Sequence, residues 1–241
     1  MSVLMRLKDM TVSRANKVLF SKLSCDIKVG EITVILGPNG AGKSSLLLAM
    51  AGLMPVQGHI ECMGKDLCRD DRQSITQKLA WQGDFPPTEF GLTVEQRLAL
   101  VGASSQAIQS MALVFDMIGL LKRSLAELSS GERQRVELSA LMLRDVPIWL
   151  MDEPTSHLDL KHQVRCMKMV KEEARSGRSI VLVLHDLQQA SAIADYFILI
   201  DEQGEICHGR SQDLFNAGVL SAVFGVTLVQ KNNVLLPDYA V

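Results

Sequence analysis

Three short apolar runs punctuate the chain: 32–36 (Ile-Thr-Val-Ile-Leu), 148–151 (Ile-Trp-Leu-Met) and 180–184 (Ile-Val-Leu-Val-Leu). Their length and continuous hydrophobicity fit strands buried in a parallel sheet. Past residue 145 the pattern alternates. It predicts strand 147–151, a helix near 160–175, strand 179–184, helix 186–194, and strands 196–200 and 205–208. Strands alternating with helices imply a mostly parallel sheet covered on both faces. Upstream, the first 30 residues read as two short strands about a turn at Arg14-Ala15-Asn16. A turn at Lys28–Glu31 launches strand 32–36, a helix follows over 43–54, and 57–63 reads as another strand. The polar run Arg69-Asp70-Asp71-Arg72 is expected to be solvated. Between 93 and 144 apolar residues recur at spacings of three and four (Leu98, Val101; Met111, Val114, Phe115, Ile118), a helical pattern. That block, about 88–145, interrupts the alternation and reads as a helical subdomain inserted into an α/β core.

Composition narrows the function classes. The chain has 241 residues, with 25 Lys+Arg against 27 Asp+Glu and a formal net charge of -2. So balanced a chain is a poor nucleic-acid coat, although a local basic patch is compatible with it. Hydrophobic residues make up 47% and charged residues 22%, the mix of a folded globular protein. No apolar run approaches the roughly 20 residues of a membrane-spanning helix. Met1 to Asp9 contains no apolar signal-peptide core, so secretion is not expected. Cys25, Cys62, Cys68, Cys166 and Cys207 are scattered and form no C-x-x-C pair. Neither a disulfide framework nor a zinc site is expected, and a reducing cytosol fits.

Gly37-Pro38-Asn39-Gly40-Ala41-Gly42-Lys43-Ser44 matches G-x-x-x-x-G-K-[ST], between a buried strand and a helix. A triphosphate needs many fixed donors at close range. Glycines let backbone N–H groups converge on its oxygens, and the helix start adds the positive end of its dipole. Lys43 would reach the β- and γ-phosphates and the Ser44 hydroxyl would ligate Mg²⁺; Ser45 joins the same candidate set. The apolar run 148–151 ends in Asp152 and Glu153. Ligands gather beyond the carboxyl ends of strands in such sheets. Asp152 would hold Mg²⁺ through water, and Glu153 would orient and polarise the attacking water. The chain lacks an Asn-Lys-x-Asp guanine reader, which favours ATP over GTP.

Read locally, Leu128-Ser129-Ser130-Gly131-Glu132 is a capping box with Ser129 as cap and Glu132 three residues on. Combined with the two motifs above, in this order and at this spacing, it resembles the signature of ATP-binding cassette (ABC) ATPases, usually Leu-Ser-Gly-Gly-Gln. The resemblance covers nearly the whole chain, from Leu7 to about residue 230. It implies a P-loop NTPase (RecA-like) fold, with a mostly parallel core, an N-terminal antiparallel β subdomain and an inserted α-helical subdomain. Carried over residue by residue, it implies that Gln82 is the Q-loop glutamine, contacting Mg²⁺ and water. Ser156-His157-Leu158-Asp159 is similar to the D-loop, and His185 to the switch histidine that contacts the γ-phosphate. Two positions depart from the family pattern: Ser130 replaces a glycine and Glu132 a glutamine. The place of the adenine-stacking aromatic falls at Arg14, whose guanidinium plane can stack on a ring.

The resemblance further implies a homodimer closed around two ATPs. Lys43 and His185 of one chain would then face Ser129, Ser130 and Gly131 of the other, with Asp159 near the seam. Separate transmembrane permease subunits are implied as partners, docking beside Gln82 through Pro86, Pro87 and Phe90 towards Thr93. The location implied is the cytoplasmic face of the inner membrane. The stretch from Gly204 to Val226 is similar to importers of iron-siderophore, haem and cobalamin chelates. Such importers take cargo from a periplasmic or lipid-anchored substrate-binding protein, so that protein is an indirect partner. An exporter subunit and a soluble ABC ATPase acting on nucleic acid or ribosomes stay open as alternatives. The second fits less well, because two cassettes, a coiled-coil insertion and a basic tail are all missing, and no nucleic-acid partner is expected.

Overall fold

In the computed structural model of the protein, the described residues are 2–15, 17–69, 71–83, 85, 91–232 and 234–238. In chain order they form β1 (Val3–Arg14), β2 (Lys17–Lys28), β3 (Ile32–Leu36), α1 (Lys43–Met50), β4 (Gln57–Cys62), β5 (Lys65–Asp66), α2 (Arg72–Lys78) and β6 (Leu79–Gln82). Next come α3 (Val94–Ala99), α4 (Ser105–Val114) and α5 (Ser130–Met142), then β7 (Ile148–Asp152), α6 (Leu160–Arg175), β8 (Ser179–Val183), α7 (Leu187–Ile193), β9 (Tyr196–Ile200) and β10 (Ile206–Arg210). The C-terminal part adds α8 (Ser211–Leu214), α9 (Ala217–Phe224), β11 (Leu228–Lys231) and β12 (Val234–Pro237).

The central sheet has the order β10-β9-β3-β8-β7-β6. Every pairing in it is parallel except that of the edge strand β10 with β9. Its middle strands, β3 and β8, are buried at every position, which is why the sequence shows continuous apolar runs there. The two-residue period still operates, but between two cores. Val34, Leu36, Trp149, Met151, Ile180 and Leu182 point to the face covered by helices, including α5, α6 and α7. Ile35, Ile148, Leu150, Val181 and Val183 point to the other face, where α1 is packed. The same core takes in Met5, Leu7, Phe20 and Ile27 of the antiparallel sheet β2-β1-β4-β5. Thus α1, and the loop before it, is clamped between two sheets.

The structure departs from the sequence expectations at identifiable places. Strands β1 and β2 are long, 12 residues each. Their register shifts repeatedly, which breaks the alternation a single-sequence reading depends on. Helix α1 stops at Met50, not 54, because Gly52 takes a left-handed φ of 69° directly after the cap Ala51. The polar run at 69–72 is more than solvated surface: the Asp71 carboxylate accepts from Ser74 N at 2.7 Å and caps α2. Neither α2 nor β6 was expected, nor were the C-terminal helices and the β11–β12 hairpin.

An ion cluster ties the segment after α4 to α6. The Asp116 carboxylate accepts from Lys161 Nζ at 2.6 Å and Arg165 at 2.7 Å. These bonds, that from Lys161 first, lower its pKa from 3.8 to about 2. A depressed folded-state value means stabilisation present above the ordinary carboxylate range and lost as pH falls through the folded value. We expect Asp116→Asn to lower the urea midpoint at pH 6, and the gap from wild type to narrow as pH falls below about 4 towards 2. A gap that stays constant across that range would show that the cluster contributes nothing through this charge.

Candidate active site

The phosphate loop is held open by backbone geometry. A Cβ on Gly37 (φ 156°) would be driven into the Ile200 carbonyl oxygen. Gly42, the N-cap of α1, has φ 100°, and a Cβ there would stand 3.1 Å from Leu19 Cβ. Gly40 is also left-handed, at φ 83°. Asn39 and Gly40 are exposed at the tip, while Ala41 and Ser45 are buried beneath it. Lys43 opens α1 and is only 6% exposed. Its Nζ donates to Gly37 O at 2.9 Å and Pro38 O at 2.8 Å. Burial lowers its pKa, while the Glu153 and Asp152 carboxylates act in the opposite sense. The ammonium therefore sits at the base of the loop, within the field of both acids.

Those acids come from the end of β7, next to the end of β6, and Gln82 pairs with Met151 in the parallel register. Ser44, Gln82, Asp152, Glu153 and Gln134 line one cavity of about 280 Å³. Gln82 is 6% exposed, and its Oε1 accepts no hydrogen bond among the described residues. Buried acceptors are normally paired, so this oxygen, on a residue that lines the cavity, is left wanting a cation or donor. One hydroxyl, one amide oxygen and one carboxylate form a hard-oxygen set. Such a set suits Mg²⁺, which keeps waters and substrate phosphates as its remaining ligands.

Glu153 has a left-handed φ of 48°, a conformation costing about 1 kcal/mol or more in a residue with a side chain. Its Oε1 is 2.6 Å from His185 Nε2, so the histidine at the end of β8 meets the carboxylate directly. The family resemblance implies a γ-phosphate contact for His185; within this chain its ring meets Glu153.

Other expected residues are not brought into this cavity. Ser129 and Ser130 are exposed, and Ser129 caps α5 by the reciprocal box with Glu132. The Ser129 hydroxyl donates to Glu132 Oε2 at 2.9 Å. Asp159 caps α6, accepting from His162 N at 2.9 Å, and is 2.8 Å from His162 Nδ1. Arg14 is exposed at the end of β1, away from the cavity lining. Pro86, Pro87 and Phe90, expected to flank the permease groove, lie outside the described residues. Two lining residues went unnoticed in the sequence: Phe85, under the Arg133 guanidinium at 4.7 Å, and Gln134. Gln134 hid within the polar run Glu-Arg-Gln-Arg. The available signal was helical spacing, since 131, 134 and 138 share a face and Leu138 is core.

A family model described as ABC transporter matches residues 20–156. The chain belongs to the ABC transporter family. ATP-binding subunits of this family hydrolyse ATP to power transport, and the chain is an ATPase of that kind. The hemin import ATP-binding protein HmuV of Shewanella denitrificans is 33% identical, over 92% of this chain and 93% of its own length. The vitamin B12 import ATP-binding protein BtuD of Yersinia pseudotuberculosis is 34% identical, over 86% of this chain and 87% of its own length. A solved ATP-binding subunit of an ABC transporter superposes with a TM-score of 0.79 at 25% identity, covering 88% of this chain and 91% of that one. The fold is thus that of the P-loop NTPases, with an antiparallel N-terminal sheet and a parallel-rich core. In this ABC ATPase the left-handed turn at Glu153 directly follows β7.

Proposed function

We propose that this chain hydrolyses Mg²⁺-bound ATP as one half of a homodimer that energises a bacterial importer, for a metal chelate such as iron-siderophore, haem or cobalamin. The observation carrying this reading is the composition of the cavity. It gathers Ser44, Gln82, Asp152 and Glu153, whereas the signature turn Ser129–Gly131 is not in its lining. Half of the phosphate contacts expected of the family must then come from a second copy.

In this reading the chain is one ABC ATPase domain, with the helical block at about 88–145 inserted in the core. Gly37 to Ser45 bind the triphosphate, and Lys43 neutralises its β- and γ-oxygens. Ser44, Gln82 and Asp152 would hold Mg²⁺, which supplies charge neutralisation to the phosphates. Glu153 polarises the attacking water and takes its proton; His185 orients that carboxylate and faces the γ-phosphate. Ser129, Ser130, Gly131 and Asp159 act on the partner's nucleotide, while Arg14 stacks on adenine. Opening and closing of the dimer is a ligand-biased two-state change that drives a separate permease.

No helix among the described residues is long and apolar enough to cross a membrane. The reading places the chain peripherally, on the cytoplasmic face, against permease subunits that receive cargo from a substrate-binding protein. The names of the hemin and B12 import relatives support import of a chelate over export or action on ribosomes. The test is co-purification from membranes with the native permease, followed by a chelate screen in vesicles. One haem, siderophore or cobalamin should raise ATP turnover when its binding protein is present. Recovery free of any membrane protein, with nucleic acid bound, would overturn the importer reading.

A further inference from the structure

The turn that follows β7 is shaped by the face of a helix 19 residues upstream. Gln134, in the second turn of α5, is 2% exposed. Its Nε2 donates to Glu153 O at 3.3 Å and to Pro154 O at 3.0 Å. Ser156 N also donates to Glu153 O, at 3.0 Å, so that carbonyl is held from two directions. One turn earlier on the same face is Gly131. A Cβ there would stand 2.7 Å from His157 O, so only glycine lets α5 come this close. Three carbonyls of the 153–157 turn thus meet α5, two through a donor and one through the lack of a side chain.

The turn needs such a mould. Glu153 (φ 48°) and His157 (φ 61°) are both left-handed. L-residues keep that conformation only where the surroundings over-determine it. Glu153 N is fixed by Val183 O at 3.1 Å, which anchors the peptide before it. Gln134 anchors the peptide after it. With both anchors, the direction of the Cα–Cβ bond is set and the carboxylate faces the cavity and His185. Without the Gln134 amide the Glu153 carbonyl is left with Ser156 N and the Pro154 carbonyl loses this donor, so φ of Glu153 can relax to the extended region favoured before proline and the carboxylate swings off line.

We propose that Gln134 is a positioning residue for ATP hydrolysis, whose amide pins the left-handed Glu153–Pro154 turn and so aims the Glu153 carboxylate. This rests on the reading of Glu153 as the group that polarises the attacking water. Both hydrogens of the Gln134 amide are committed to the two carbonyls, so Gln134 acts through Glu153.

The test is a double-mutant cycle on the purified full chain, with kcat and KM for Mg-ATP measured for wild type, Gln134→Met, Glu153→Gln and the double variant. Methionine keeps the length and volume of the side chain and removes the donor. Gln134→Met should lose on the order of ten- to a hundred-fold in kcat, the scale of a misplacement near 1 Å. KM should stay within about two-fold, since the phosphate loop is untouched. In the Glu153→Gln background the same change should cost nothing further, because a residue that acts through Glu153 has nothing left to aim. Wild-type turnover in Gln134→Met overturns the proposal. So does a loss that adds in full to that of Glu153→Gln, or a KM that rises in step with the fall in kcat. Glu153→Gln turning over at the wild-type rate refutes instead the reading on which the proposal rests. Gln134→Leu repeats the cycle, so that the outcome does not hang on one folded variant.

Discussion

Glu153→Gln should bind ATP as wild type does and turn it over roughly 10²–10⁴-fold more slowly, the range for loss of a general base. The substitution keeps the shape of the side chain and its reach to His185 Nε2, now 2.6 Å from Oε1. It removes the one property that matters for the water, a carboxylate able to take a proton. Ground-state binding is carried elsewhere, by the loop from Gly37 and by Lys43, and should be spared. Because hydrolysis is what would separate the two copies, the variant should also accumulate as an ATP-dependent dimer. Single-turnover kinetics and size-exclusion chromatography with and without ATP check both halves. Turnover at the wild-type rate would remove Glu153 from the mechanism and with it the role given to His185.

Lys43→Ala should cost both affinity and rate. Loss of one preorganised donor from a developing phosphate charge is worth about 3 kcal/mol, or on the order of 10²-fold in kcat. A second cost is local. The ammonium donates to Gly37 O and Pro38 O, and without it Gly37 O loses this donor while Pro38 O is left with Ala41 N at 3.3 Å. We therefore expect weaker binding of a non-hydrolysable ATP analogue together with slower turnover, where Glu153→Gln shows slower turnover alone. Undiminished affinity and rate in Lys43→Ala would refute the loop assignment. The contrast between the two variants separates phosphate binding from water activation, which a single substitution leaves entangled.

Much of this molecule could be read from the chain alone, and the legible parts share a feature. The phosphate loop, the capping box at Ser129 and the run ending at Asp152 are each encoded within a few consecutive residues. Helix α6 appears at 160–175 as its periodicity predicts. The strands not expected from the sequence are short: β5 has two residues, and β6, β11 and β12 have four each. Strands that short depend on tertiary pairing rather than on a pattern of their own. Strands β1 and β2 flank the expected turn at residues 14–16 but, at 12 residues each, are longer than the short strands expected, with register shifts interrupting their alternation.

The sequence by itself determined which chemistry is present: a polyphosphate cradle, a strand-end pair of acids, and helix caps. These follow from backbone geometry and hydrogen bonding between near neighbours, so local spacing is enough to specify them. The tertiary structure alone decided how that chemistry is assembled. It buried Gln82 beside Asp152, set His185 against a carboxylate 32 residues away, and laid Gln134 under the Glu153 turn. Those meetings depend on the register of parallel strands and on the angle at which α5 crosses them. Both are fixed by the packing of two apolar cores, a sum over many weak contacts that no short stretch of sequence contains.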